Sequence, residues 1–507
     1  MLCDARAVTS ARRGAVALGV LVVLVLTASV TTASAWASRA LGQAGGKTVV
    51  TFTWGGGFAN QMGALPAFRR YGMQATFYVP SGLVCQPSAG SSCTHLPYLS
   101  LSQVHQIAAD GDEIGGLSVN HIPLNMLPPP EAKREICDDR VNLTRWGFRV
   151  TDFAYPFALE NPTLQRLTQQ CGYNSGLGTG QLRGAGVCST CPFAETIPPA
   201  NPYVLRTPIE VSSVGTSWTP ATFENIVTAA QQNGGGWVIF TVHDVCPRTC
   251  SLGVTVPELD TVLKWLHGRT STGVSVRTIG QVIGGPVRPA VPGPPPPRIP
   301  PPGVMNPRLT EVSSGVPACF QAARYGTNHA AFSYSSSGGP GGAGAEMISL
   351  SQRKSGTAQL LPTLDLGECA PTASAGDAYT AGAWYKSSQP VVFNVYYRTQ
   401  IGTWRFWLTS PPLAAERNWT RAQWTTPALP SGASALSFGL ALRSDGTMAT
   451  SRYSLTRGHP AGSQASVFGL VIYAFLGLVV LLAGIVGIAA LIRRLRNRGD
   501  RPRSGEA

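Results

Sequence analysis

The sequence predicts an α/β domain, then an all-β domain, then one membrane-spanning helix, and three observations carry that order. Between residues 47 and 285, short β-rich apolar runs (Thr48 to Thr53, Ala75 to Val79, Val150 to Tyr155, Trp237 to Val242) alternate with longer polar or helical stretches such as Pro130 to Trp146 and Thr222 to Asn233. Such alternation argues βα units and a parallel sheet covered by helices. Residues 303–458 instead carry short β-rich runs separated by turn residues at sandwich-like spacing. Val467 to Ile492 has no charged residue and exceeds the roughly 20 residues that span a bilayer.

The chain opens with Arg6, Arg12 and Arg13, an uncharged run from Gly14 to about Thr32, and then the small-x-small signals Ala33-Ser34-Ala35 and Ala35-Trp36-Ala37. This is the layout of a secretory signal peptide over residues 1–37, with an uncleaved N-terminal anchor as the alternative. Either way the bulk of the chain is expected to be exported.

Residues 45–285 form the α/β domain. Val50 to Gln61 reads V-T-F-T-W-G-G-G-F-A-N-Q, Glu113 to His121 reads E-I-G-G-L-S-V-N-H, Phe148 to Phe157 reads F-R-V-T-D-F-A-Y-P-F, and Trp237 to Asp244 reads W-V-I-F-T-V-H-D. In order and spacing these stretches, with Cys171 to Ser175 as a further strand, resemble the motifs of the NodB-homology polysaccharide deacetylases, carbohydrate esterase family 4. The resemblance implies a distorted (β/α) barrel with its site where strands end and loops begin. It also implies roles. Gly55 stands where the family has its general base and Gly56 where it has a metal-ligating Asp. Leu117 replaces the first imidazole ligand and His121 keeps the second. His243 occupies the general-acid position, and Tyr155, Pro156, Phe157 and Asp244 border the substrate groove. A catalytic zinc-type site needs about three protein ligands and one open position, so one imidazole does not hold the ion, and no cofactor is expected. Two functions follow from different classes: a silent homologue that binds or scaffolds surface polysaccharide, or an active deacetylase using a divalent metal such as zinc.

Ten cysteines lie beyond Cys3, an even number that in an exported chain implies disulfides. Cys85 with Cys93 and Cys319 with Cys369 are the expected pairs, each isolated within its own segment. The other six are ambiguous. Cys188, Cys191, Cys246 and Cys250 have the spacing of a four-cysteine zinc site, but the oxidising compartment favours disulfides, with zinc as the alternative.

Prolines crowd residues 286–302, which favours a polyproline II linker, a semi-rigid spacer on the order of 50 Å when fully extended. In residues 303–458, Val391 to Thr399, Thr403 to Thr409, Ala422 to Thr426, Ala435 to Leu442 and Thr450 to Leu455 are the expected strands. Tyr325 to Asn328, Ala383 to Ser388 and Ser437 to Leu440 resemble jelly-roll carbohydrate-binding modules, which implies glycan stacking by one or two exposed aromatics. Trp384, Trp404 and Trp407 are the candidates.

After the span at 467–492, residues 493–507 carry six Arg, so the positive-inside rule puts this tail in the cytoplasm. The expected location is the cell membrane, single-pass, with the ectodomain outside. Of the formal charge of +14, the two ends account for about +6. The remaining basic excess suits an anionic wall polymer or lipid headgroups by counter-charge attraction. No segment resembles a nucleic-acid module.

Overall fold

A computed structural model describes residues 47–86, 93, 97–184, 188–208, 218–248, 252–297, 303–313 and 315–458. The expected signal peptide (1–37), membrane span (467–492) and basic tail (493–507) lie outside these residues. Among the described residues no helix is long and apolar enough to cross a membrane.

The first domain is built on β1 (Thr48–Trp54), β2 (Thr76–Val79), β3 (Glu113–Gly116), β4 (Asp152–Ala154), β5 (Ser175–Leu182), β6 (Leu205–Pro208) and β7 (Gly236–Val242). Two short strands, β8 (Asp244–Cys246) and β9 (Gly253–Thr255), pair with each other, and β10 (Val274–Val276) joins the main sheet. Every pairing in that sheet is parallel, in the order β7-β1-β2-β3-β4-β5-β6, with β10 beside the first half of β1. The helices are α1 (Leu65–Arg70), α2 (Leu101–Ala109), α3 (Pro129–Arg145), α4 (Pro162–Gln170), α5 (Pro220–Gln232), α6 (Val256–His267) and α7 (Ile279–Ile283).

β1 shows why the sheet forms. Its Thr, Val and aromatic residues are β-formers buried on both faces, as a parallel strand under helices requires. Phe52 packs on Phe68, Phe223 and Phe240 on the helix side, while on the barrel side Thr51 accepts a hydrogen bond from Trp237 Nε1 at 2.9 Å. Ser100 with Gln103 and Thr255 with Glu258 form capping boxes that start α2 and α6.

The second domain contains β11 (Val312–Ser313) and β12 (Val316–Pro317), a small hairpin, followed by two antiparallel five-stranded sheets. β13 (Phe320–Tyr325), β16 (Thr357–Pro362), β21 (Ala433–Leu442), β18 (Val391–Thr399) and β19 (Trp404–Thr409) form one. The other is β14 (His329–Ser335), β15 (Ala345–Ser351), β22 (Gly446–Gly458), β17 (Ala378–Ser387) and β20 (Thr420–Thr425). Their inner faces share one core that includes Ile348, Phe393, Leu436, Phe438 and Tyr453.

Within the described part of the proline-rich segment, residues 286–297 are not a free-standing spacer. Arg140 donates to the carbonyls of Arg288 and Pro289 at 2.6 and 2.9 Å, Arg134 Nε donates to Pro294 O at 3.0 Å, and Gly293 N donates to Asp138 at 2.8 Å. Polyproline II makes no internal hydrogen bonds, so its carbonyls are open acceptors, and the arginines of α3 lay residues 286–297 along that helix.

Cys85–Cys93 and Cys319–Cys369 are disulfides, and Cys137–Cys171 ties α3 to the end of α4. Cys188 is bonded to Cys191, and Cys246 is also disulfide-bonded, whereas Cys250 falls outside the described residues. The four-cysteine zinc alternative is thereby overturned, because its first thiol pair is spent on a bridge.

Candidate functional site

Four loops at the C-terminal ends of strands meet in a cleft of about 370 Å³. Gly55 and Gly56 come from the end of β1, Leu117 and His121 from the loop after β3, Tyr155, Phe157 and Ala158 from the loop after β4, and Thr241 and His243 from the end of β7. Leu177, Gly178 and Thr179 of β5 complete the rim, and Tyr78 of β2 closes the floor.

The first and last loops are fastened to each other. Gly55 N donates to Val242 O at 2.9 Å, and the buried Gln61 donates through Nε2 to both Gly55 O and His243 O at 2.7 Å. These bonds press the His243 ring onto the glycine: a Cβ on Gly55 would stand 3.0 Å from His243 Nε2. At Gly56, φ is +91° and a Cβ would meet the Phe58 ring at 2.4 Å. Phe58 is in turn stacked on Tyr98, ring centroids 5.7 Å apart. The space a side chain at 56 would need is therefore taken by an aromatic pair.

The loop after β3 is held from below by α3. Asp139 accepts from Ser81 N at 2.8 Å and Leu117 N at 2.9 Å, while Glu135 accepts from Asn120 N at 2.9 Å and Asn120 Nδ2 at 2.7 Å. Ser118 and His121 both sit at positive φ, 64° and 51°, in a turn where His121 N donates to Ser118 Oγ at 3.0 Å. Non-glycine residues there are uncommon, and the two carboxylates of α3 offset that cost. Burial, with the neighbouring His243 adding, lowers the His121 pKa to about 4, so its imidazole is neutral at ordinary pH. Its ring lies 4.8 Å from that of Phe157.

The expected site residues divide. Gly55, Gly56, Leu117, His121, Tyr155, Phe157 and His243 line one cleft. Pro156 is buried, and Asp244 accepts from Asn60 Nδ2 at 2.8 Å on β8 without lining the cleft. Leu117 is buried with Tyr78, Ala154 and Leu177 in an apolar cluster inside the barrel. Gln61, Phe58 and Tyr78 escape a reading of motifs because their roles depend on long-range packing. The tryptophans also part company. Trp404 Nε1 donates to Asp365 O at 3.0 Å, Trp407 packs on the sandwich core beside Tyr397, and Trp384 lies on the outer face of the other sheet.

A metal ion would find two imidazoles, no carboxylate at 55 or 56, and a leucine at 117. Among the described residues no three His, Cys, Asp or Glu side chains converge as a metal-holding group. The residues present do not fit an ion that needs about three protein ligands.

Residues 42–176 match the family model described as polysaccharide deacetylase. The "Putative polysaccharide deacetylase YxkH" of Bacillus subtilis is 26% identical over 132 residues, 26% of this chain. The chain thus spans 44% of that relative's length. Among solved structures, a family 4 carbohydrate esterase from Streptomyces lividans is 16% identical, covering 46% of this chain and 91% of its own (TM-score 0.29). The peptidoglycan deacetylase PdaC from Bacillus subtilis is 17% identical, covering 46% and 90% (TM-score 0.27). With its ordered motifs and parallel sheet, the first domain of this chain is similar, over residues 42–176, to the polysaccharide deacetylases.

Proposed function

We propose that this chain is a catalytically silent deacetylase-like protein, held at the cell membrane with its ectodomain outside, whose cleft binds cell-wall or surface polysaccharide without cutting it. One observation carries the reading. The cleft has an aromatic and imidazole lining, while Gly55, Gly56 and Leu117 stand where the family resemblance implies a base and metal ligands. Hydrolysis of an acetamide needs a proton acceptor and an activated water. His121 and His243 supply neither a carboxylate base nor a full ligand set, but with Tyr155 and Phe157 they offer ring faces and hydrogen-bonding nitrogens to a sugar. A second reading, an active deacetylase with a divalent metal such as zinc, is favoured by the family match at 42–176 and by the two imidazoles that persist.

Acetate release from acetylated chitin or peptidoglycan oligomers separates the two. The silent reading expects none with the purified chain, with or without added zinc or cobalt, together with measurable oligomer binding. Metal-dependent release abolished by His121→Ala would establish the enzyme instead. Gly55→Asp, Gly56→Asp and Leu117→His combined should still fail to bind metal, because a side chain at 56 runs into Phe58. Adding Phe58→Ala to the three should be required before calorimetry detects an ion.

A further inference from the structure

We propose that the outer face of the second sandwich sheet is a separate binding site for a carboxylated polysaccharide, a chain of uronate sugars. On β17, Ala381, Ala383 and Tyr385 point into the core, so strand alternation turns Trp384 and Lys386 outward. On β20, Ala422 is the core residue, which turns Arg421 outward directly across from Trp384. Lys386 Nζ stands 5.5 Å from the centre of the Trp419 ring. Beside this row runs a groove of about 470 Å³, lined among others by Lys386, Ser388, Glu416 and Arg417, with Met347 41% exposed at its edge.

The groove wall is built rather than loose. Ser387 N donates to Glu416 O at 2.6 Å, Glu416 N returns a bond to Ser387 O at 3.0 Å, and Tyr385 Oη donates to Ala414 O at 2.8 Å. The segment carrying Arg417 and Trp419 is thereby stitched to β17.

The chemistry selects the ligand. Indole faces suit the C–H face of a pyranose, and three cations, Lys386, Arg417 and Arg421, stand against one acid, Glu416. Paired with the basic excess of about +8 that remains outside the two chain ends, that local excess favours a polyanion. A polymer of charged rings answers both features, whereas a neutral glycan uses only the aromatics and a polyol phosphate only the cations. The site lies on the sandwich, away from the cleft, and does not rest on the cleft's function.

The test is binding of the full chain to a polygalacturonate oligomer, a neutral xylo-oligomer of equal length, and a single-stranded DNA oligomer. Polygalacturonate should bind about tenfold or more tighter than the neutral oligomer, a difference of about 1.4 kcal/mol. The preference should vanish in about 1 M salt, where the screening length is about 3 Å. Lys386→Gln with Arg417→Gln should weaken polygalacturonate by about tenfold and leave binding of chitin oligomers, the cleft's test ligand, unchanged. Trp419→Ala should weaken both the acidic and the neutral oligomer. Equal binding of acidic and neutral oligomers, wild-type affinity in the double charge variant, or DNA binding as tight as polygalacturonate would each overturn the proposal. Salt dependence is read on the unmodified chain, so the test stands even if a variant fails to fold.

Discussion

Glu135 shows what a single buried carboxylate does for the cleft. It is fully buried on α3 and spends its oxygens on Asn120, the residue before His121. Burial pushes its pKa up to about 7, with nearby Glu131 adding to the rise. An unfolded chain releases that proton near pH 4. Between these values the folded protein holds a proton that the unfolded one has lost. The stabilisation is therefore complete below about pH 4 and is lost as pH rises through 7. Asp112 and Asp365, also raised to about 7 by burial, act in the same direction. His121 opposes them: lowered to about 4, it contributes stability present above about pH 6.5 and lost as pH falls through 4. Glu135→Gln keeps the size and removes the proton, and Asn120 can turn its amide to meet the new one. Urea midpoints at pH 5 and pH 8 should show the wild type losing stability at the higher pH, and the variant losing less, by up to about 3 kcal/mol. An identical pH dependence in both proteins would refute this account of Glu135.

At the scale of elements, α3 is the part on which the others converge. Its Glu135 and Asp139 hold the cleft loop, its Arg140 and Asp138 hold the proline-rich segment, and its Arg134 joins Glu131 at 2.7 Å and Glu368 of the sandwich at 3.1 Å. The Arg134 and Glu131 side chains are 3% and 1% exposed. Removing one partner of such a pair strands a buried charge, which costs about 3–5 kcal/mol. Arg134→Ala should destabilise by that amount in a urea titration, and Arg134→Met with Glu131→Gln should recover most of it. A loss under 1 kcal/mol in the single variant would mean that water solvates the pair. The helix was legible from its pattern between Pro130 and Trp146, but its purpose was not, because a buried Arg and a surface Arg read alike in a sequence. β18 was read to the residue, being Val- and Tyr-rich and bounded by turns, whereas β14 and β15 went unread because Ala, Ser and Met dilute the β signal. In the cleft, Gly55 at the position where the resemblance implies a base, and Gly56 and Leu117 where it implies ligands, were visible in the motifs. Phe58, which fills the space beside Gly56, was hidden because its ring is placed by packing on Tyr98, about forty residues away.

For the whole molecule, the question is whether two domains behave as one. The sandwich reaches the barrel through the β18–β19 turn and the loop around Leu366. Thr403 Oγ1 donates to Gly82 O at 2.8 Å, Asn142 Nδ2 donates to Ile401 O at 2.9 Å, and Leu366 N donates to the buried Glu131. Gly82 N in turn donates to Val119 O at 2.8 Å, so the turn presses on the same loop that presents His121 to the cleft. Gly402 sits at φ +90°, and a Cβ there would lie 2.7 Å from Leu366 and 2.8 Å from Val119, which leaves room for glycine alone. Domains joined by a loose linker unfold separately, but here residues 286–297 of the linker and both loops are bonded to α3. Calorimetry of the full chain should therefore give one cooperative transition across the two domains. Gly402→Leu inserts a side chain into the contact at a backbone angle only glycine adopts easily, and should divide that transition in two, the barrel melting first as its His121 loop loses support. Two resolved transitions in the unmodified protein, or a single unshifted one in the variant, would show that the contacts across the junction are too weak to couple the domains.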